Sequence, residues 1–121
     1  MCGNSFQIKK IFGENDILRL WNYDSWACRM SWWTNLQTYN ISNFPQTDPM
    51  LWFGFWIPPK GSAPMKINSG FGGMTIYKTK FYLIGNYSGV DCEHVTFHYD
   101  IVKKNSKFNL FLNPSQVMLM S

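Results

Sequence analysis

Apolar positions recur with two different periods along this chain. From Asp24 to Gln37 the segment DSWACRMSWWTNLQ places Trp26, Met30 and Trp33 on one stripe with Ala27 beside them, which predicts a helix with Asp24 as a plausible N-cap. TYNISNFPQTDP follows, and Pro45 and Pro49 make it turn-forming, because proline removes an N–H donor and fixes φ. The run LWFGFWI at 51–57 predicts a buried strand bounded by Pro58-Pro59, with KGSAP as the loop behind it. MTIYKT at 74–79 and FNLFL at 108–112 predict two more strands, the second closed by Asn113-Pro114. Residues 1–20 form an unassigned N-terminal segment: the opening stretch up to Asp16 is polar with scattered apolar side chains.

SGVDCEHVTFHYDIVKKN fits both periods. Val95, Phe97, Tyr99 and Ile101 alternate as in a half-buried strand, whereas Val90, His94, Phe97 and Ile101 share a helical stripe, and Ser88 stands three residues before Asp91 in a capping-box pattern. Charge favours the helix: Asp91 and Glu93 near its start and Lys103-Lys104 at its end match the macrodipole, which a strand would not explain. Ahead of it, SGFGGMTIYK (69–78) packs three glycines around Phe71, which marks either a φ > 0 turn or bulge before a strand, or a place where another molecule approaches the main chain.

Composition narrows the class. A chain of 121 residues, 45% hydrophobic and only 15% charged, is one folded domain rather than a disordered segment. The net charge of +4 is spread along the chain apart from Lys9-Lys10 and Lys103-Lys104, too thin a stripe for nucleic acid. No apolar run approaches the about 20 residues of a membrane span, and MCGNSFQIKK lacks the apolar core of a signal peptide, so the expected location is cytoplasmic. Cys2, Cys28 and Cys92, an odd set without CxxC spacing, indicate neither a disulfide framework nor a zinc ribbon.

Three blocks, in order, carry a resemblance. NYDSWACR (22–29), NSGFGGMTIYK (68–78) and SGVDCEHVTFH with LFLNP resemble segments of GT-A type glycosyltransferases, including bacterial and large-virus members, and together reach from about residue 21 to 115. The resemblance implies an α/β chain, a partial GT-A fold with a mixed sheet and two main helices, that transfers a sugar from a nucleotide-sugar donor to a hydroxyl of a glycan acceptor. It implies that Ser69, Gly70, Phe71, Gly72 and Gly73 border the donor, as a loop without Cβ atoms is able to do. It implies that Glu93, with Asp91 as local competitor, takes the acceptor proton, given burial that lifts its pKa. Tyr23, Asp24 and Trp26 are the further ligand candidates, with Asp24 as a simple N-cap the equal alternative. Trp21, Trp26, Trp32, Trp33, Trp52 and Trp56 offer faces for sugar stacking or, more ordinarily, fill a core. His94 and His98, spaced i, i+4, have the geometry of a metal pair but no third ligand.

The family's Asp-x-Asp motif, which holds Mn²⁺ or Mg²⁺ against the donor diphosphate, has no counterpart here, and too little chain precedes Trp21 for a nucleotide-binding half. The chain therefore reads as the C-terminal half of a GT-A domain, a truncated or inactive copy, whose exposed edge calls for a homodimer or the missing N-terminal half. The alternatives are a carbohydrate-binding, lectin-like module and a structural interaction protein without catalysis.

Overall fold

In the computed structural model, the described residues are 1–10, 18–24, 27–30, 56–90 and 92–120. The opening segment, too polar to announce an element, supplies the central strand β1 (Cys2–Lys10). It pairs antiparallel with β2 (Leu18–Asn22) on one side and parallel with the C-terminal strand β4 (Leu110–Met120) on the other. β3 (Met65–Ile67) pairs antiparallel with the first residues of β4, giving a mixed sheet in the order β2-β1-β4-β3.

β1 gives no period-two signal because five consecutive residues, Cys2 to Phe6, are buried. Its polar side chains hold neighbouring segments in place. Asn4 donates through Nδ2 to the carbonyls of Pro58 (3.1 Å) and Pro114 (3.2 Å), and Asn22 on β2 donates to the carbonyl of Trp56 (3.1 Å).

β4 begins where FNLFL predicts a strand but runs on through Asn113-Pro114. The register explains how. Cys2 lies opposite Leu112 and Asn4 opposite Val117, so two steps along β1 face five along β4. The surplus residues bulge out around Pro114, which has no N–H to offer the ladder and whose carbonyl accepts from Asn4 instead. The predicted strand MTIYKT is reduced to a single bridge, Thr75 opposite Cys2, before α1 (Thr79–Tyr82) takes over its last residue. Of LWFGFWI, only Trp56 and Ile57 are described, and neither is in a strand.

The helix expected in the ambiguous segment is α2, Glu93–Lys104, with Glu93 in its first turn and Lys103 and Lys104 in its last. Its start differs from the capping-box reading. Cys92 is the N-cap and makes no side-chain cap bond, while both backbone groups of Ser88 bond the Thr96 hydroxyl (3.3 and 3.1 Å). The helix expected over 24–37 is not formed at Ala27–Met30. Ala27 and Cys28 N–H groups close a turn on the Asp24 carbonyl, and Arg29 then bridges Ser69. The Arg29 bridge uses the N–H and carbonyl that a helix would need internally; the remainder of that predicted helix lies outside the described residues.

The core gathers Phe97 and Ile101 of α2, Phe81 of α1, Ile67 of β3 and Leu110 and Leu112 of β4 with Cys2, Cys28, Met30 and Phe108. Burial of this apolar surface is the main stabilising contribution. The 69–73 loop crosses its edge against β1. A Cβ on Gly70 would stand 2.6 Å from Ile67 Cδ1 and 2.9 Å from Cys2 Sγ. Gly72 has φ +60° and its missing Cβ would run into the backbone of Gly3.

Gly72→Ala should therefore cost more than about 2 kcal/mol, from left-handed strain plus a backbone clash. Gly61→Ala, at φ +89° with nothing near the added atom, should cost only the strain, about 1–2 kcal/mol. Urea unfolding of the two variants checks the order; equal losses would mean that the loop does not press on β1.

Candidate functional site

Asp24 leaves β2 in a tight turn in which its own N–H bonds Asn22 Oδ1 (3.1 Å). This directs its side chain inward, where only 5% of the residue remains exposed. There Oδ2 accepts the N–H of Phe71 at 2.8 Å, and the N–H of Gly72 also serves the carboxylate. Burial pushes the Asp24 carboxyl up to about 6, and the two N–H groups pull against that rise. The thiols of Cys2 and Cys28 are raised as well, first by burial and then by the Asp24 charge.

Ser69, at the other end of the loop, is wholly buried, and its Oγ lies 2.9 Å from His98 Nδ1. On the opposite side of the ring, Tyr77 Oη lies 2.6 Å from His98 Nε2. Burial drives His98 down to about 3, so the imidazole is neutral and each nitrogen has a hydroxyl partner. Phe71 turns the other way and stacks on His94, with centroids 4.1 Å apart and planes 4° from parallel. Glu93 precedes His94, its side chain 70% exposed and its Oε1 3.6 Å from His94 Nε2.

The loop and the first turn of α2 thus meet through stacked rings. Three of the surface hollows are walled by described residues other than Glu93 and residues 69–73. Of the loop residues, Ser69, Gly70 and Gly72 are buried, and Phe71 and Gly73 are half-buried. Tyr23 points outward, 41% exposed, so the Tyr23-Asp24 pair splits, ring to solvent and carboxylate to the interior. Asp91 and Trp26 lie outside the described residues, as do Trp32, Trp33 and Trp52. Trp56 is partly buried against the core.

Among the described residues no three of His, Cys, Asp and Glu come together, His98 has both nitrogens engaged, and Asp24 accepts a backbone N–H. Also among the described residues, no helix is long and apolar enough to cross a membrane.

The Ser69–His98–Tyr77 chain went unread in the sequence because its members are 29 and 21 residues apart. Tyr82 and Tyr87 were equally silent: both rest on Phe97, at centroid distances of 5.4 and 4.3 Å, and both stay about half exposed. Comparison with protein families, curated proteins and solved structures finds no match for this chain.

Two groups give opposite pH slopes. Asp24, raised from 3.8 to about 6, binds its proton more tightly folded than unfolded, so its contribution to stability is full below pH 3.8 and is lost as pH rises through about 6. His98, lowered from 6.5 to about 3, contributes fully above pH 6.5 and loses that as pH falls. His98 is common to wild type and Asp24→Asn, so the difference in their unfolding free energies should fall as pH rises from about 4 to about 6, by at most about 1.4 kcal/mol per unit. A flat difference would show that Asp24 does not titrate there. Tyr77→Phe, which strips one partner from His98, should cost about 1–3 kcal/mol in the same assay.

Proposed function

We propose that this chain binds carbohydrate and leaves it chemically unchanged. The observation that carries the reading is the pair Tyr82 and Tyr87, each seated on the buried ring of Phe97 and each about half exposed. A ring fixed from below loses little freedom when a ligand covers it, and a phenol offers a flat apolar face with a polar edge, as a sugar does. The 69–73 loop supports the non-catalytic form of the reading. A glycine loop receives a phosphate through free backbone N–H groups, and here those of Phe71 and Gly72 already serve the Asp24 carboxylate, an anion of the chain's own.

The second reading is the glycosyltransferase-like one, GT-A in type, with Glu93 as the base. One observation favours it: the Phe71–His94 stack brings the loop beside Glu93, whose carboxylate is open to an acceptor hydroxyl. The burial that such a base requires is lacking at a side chain 70% exposed. A homodimer remains part of both readings. Ile8 and Leu20 face each other across β1 and β2, and Val117 and Leu119 lie on β4, all exposed.

Calorimetric titration separates the readings. Free glycans should bind without nucleotide, and UDP- or GDP-sugars should bind no better than their sugars, with no gain from Mn²⁺. Binding of a nucleotide-sugar that tightens with Mn²⁺, and is followed by sugar release that Glu93→Gln abolishes, would replace the first reading with the second.

A further inference from the structure

Beside α2 lies an open hollow of about 250 Å³. Its walls are Tyr87, Asn86, Ser88 and Val90 from the loop before α2 and Thr96, Asp100 and Lys103 from the helix. Resting on the reading that the chain binds carbohydrate, we propose that this hollow is the sugar site and that it takes one neutral pyranose ring, with Tyr87 as the stacking wall.

The walls are held in place before any ligand arrives. Tyr87 stacks on Phe97 at 4.3 Å with planes 12° apart and meets His94 edge-on at 6.1 Å, yet is 52% exposed. The loop behind it is pinned through both backbone groups of Ser88 to the Thr96 hydroxyl, which also bonds the Glu93 carbonyl (3.0 Å). Asp100 is fixed through Oδ2, which accepts the Asn86 N–H and the Lys104 ammonium, both at 2.7 Å. The Lys104 hydrogen bond holds the Asp100 carboxyl below its ordinary range, so it stands ionised. Asp100 lines the hollow, where its carboxylate is an acceptor for a hydroxyl. Lys103 adds an ammonium donor at the same rim.

Size and polarity select the ligand class. The volume falls below the roughly 300–1,000 Å³ of sites for drug-sized molecules, which favours a single ring over a nucleotide-sugar. The ionised carboxylate accepts sugar hydroxyls, while the apolar C–H face of the ring lies on the tyrosine. An aromatic face flanked by one acceptor and one donor, on preset walls, matches the amphipathic character of a hexose.

The test titrates the full chain with a panel of methyl hexopyranosides, followed by heteronuclear NMR and calorimetry. At least one should bind, shift the amides of Tyr87, Asp100 and Lys103, and lose at least tenfold in affinity in Tyr87→Ala and in Asp100→Asn, with Ile57→Ala unchanged. The NMR map on wild type keeps the test valid should Tyr87→Ala unfold. A glycoside that binds but shifts other residues, with affinity untouched by either substitution, would overturn this site and leave the carbohydrate reading standing. No binding by any glycoside or longer glycan would overturn both.

Discussion

The buried carboxylate of Asp24, tied to the backbone of the 69–73 loop, is the interaction on which the surrounding structure depends. A carboxylate taken out of water is costly unless hydrogen bonds replace its hydration. The N–H groups of Phe71 and Gly72 offset part of that cost, and the loop must come close enough to offer them. That approach is why Gly70 has no room for a Cβ between Ile67 and Cys2, and why Gly72 lies against Gly3. From the anchored loop the constraints spread outward. Ser69 bridges Arg29 and reaches His98 on α2, Tyr77 closes on the other side of that ring, and Phe71 covers His94. One acid thereby joins the end of β2, the strand β1 beneath the loop and the helix above it.

The same tie decides what chemistry the loop is free to do. Bare backbone N–H groups at a glycine turn are a general anion receptor, and whether they serve a ligand or the fold depends on which anion reaches them. Here the anion belongs to the chain, and the loop joins the end of β2 to the rest of the fold. Phe97 connects core to surface: it belongs to the core, and it supports Tyr82 and Tyr87 from below. Rings supported in this way are rigid without being buried, the condition under which an exposed aromatic serves binding.

Legibility in the sequence followed redundancy of signal. The helix α2 was readable because an apolar stripe and charges at both ends agreed, although its first residue was not, since the Ser88–Thr96 bond replaced the expected cap. The start of β4 was readable from FNLFL, but its continuation was hidden by Pro114, which a bulge accommodates. β1 carried no signal, because a strand buried over five successive positions with Asn4 and Ser5 among them has neither alternation nor an apolar run. Helical spacing at Ala27 and Met30 was overridden when Arg29 found a β partner in Ser69. At the candidate site, the glycine cluster was visible as a point of close approach, but not what approached it.

By itself, the sequence determined properties that depend on neighbours along the chain: a folded mixed α/β domain, a helix within the SGVDCEHVTFHYDIVKKN segment, a strand at its C-terminal side and a main chain stripped of side chains near Phe71. Tertiary structure alone decided which segments met: that a polar N-terminus became the central strand, that Asp24 filled the glycine loop, and that tyrosines 82 and 87 came to rest on one phenylalanine. The physical reason is the range of the forces involved. Helix dipoles, capping and periodic burial act over a few residues and leave a local trace, whereas desolvation of a carboxylate and the packing of a Cβ-free loop depend on partners tens of residues away, whose identity no local pattern records.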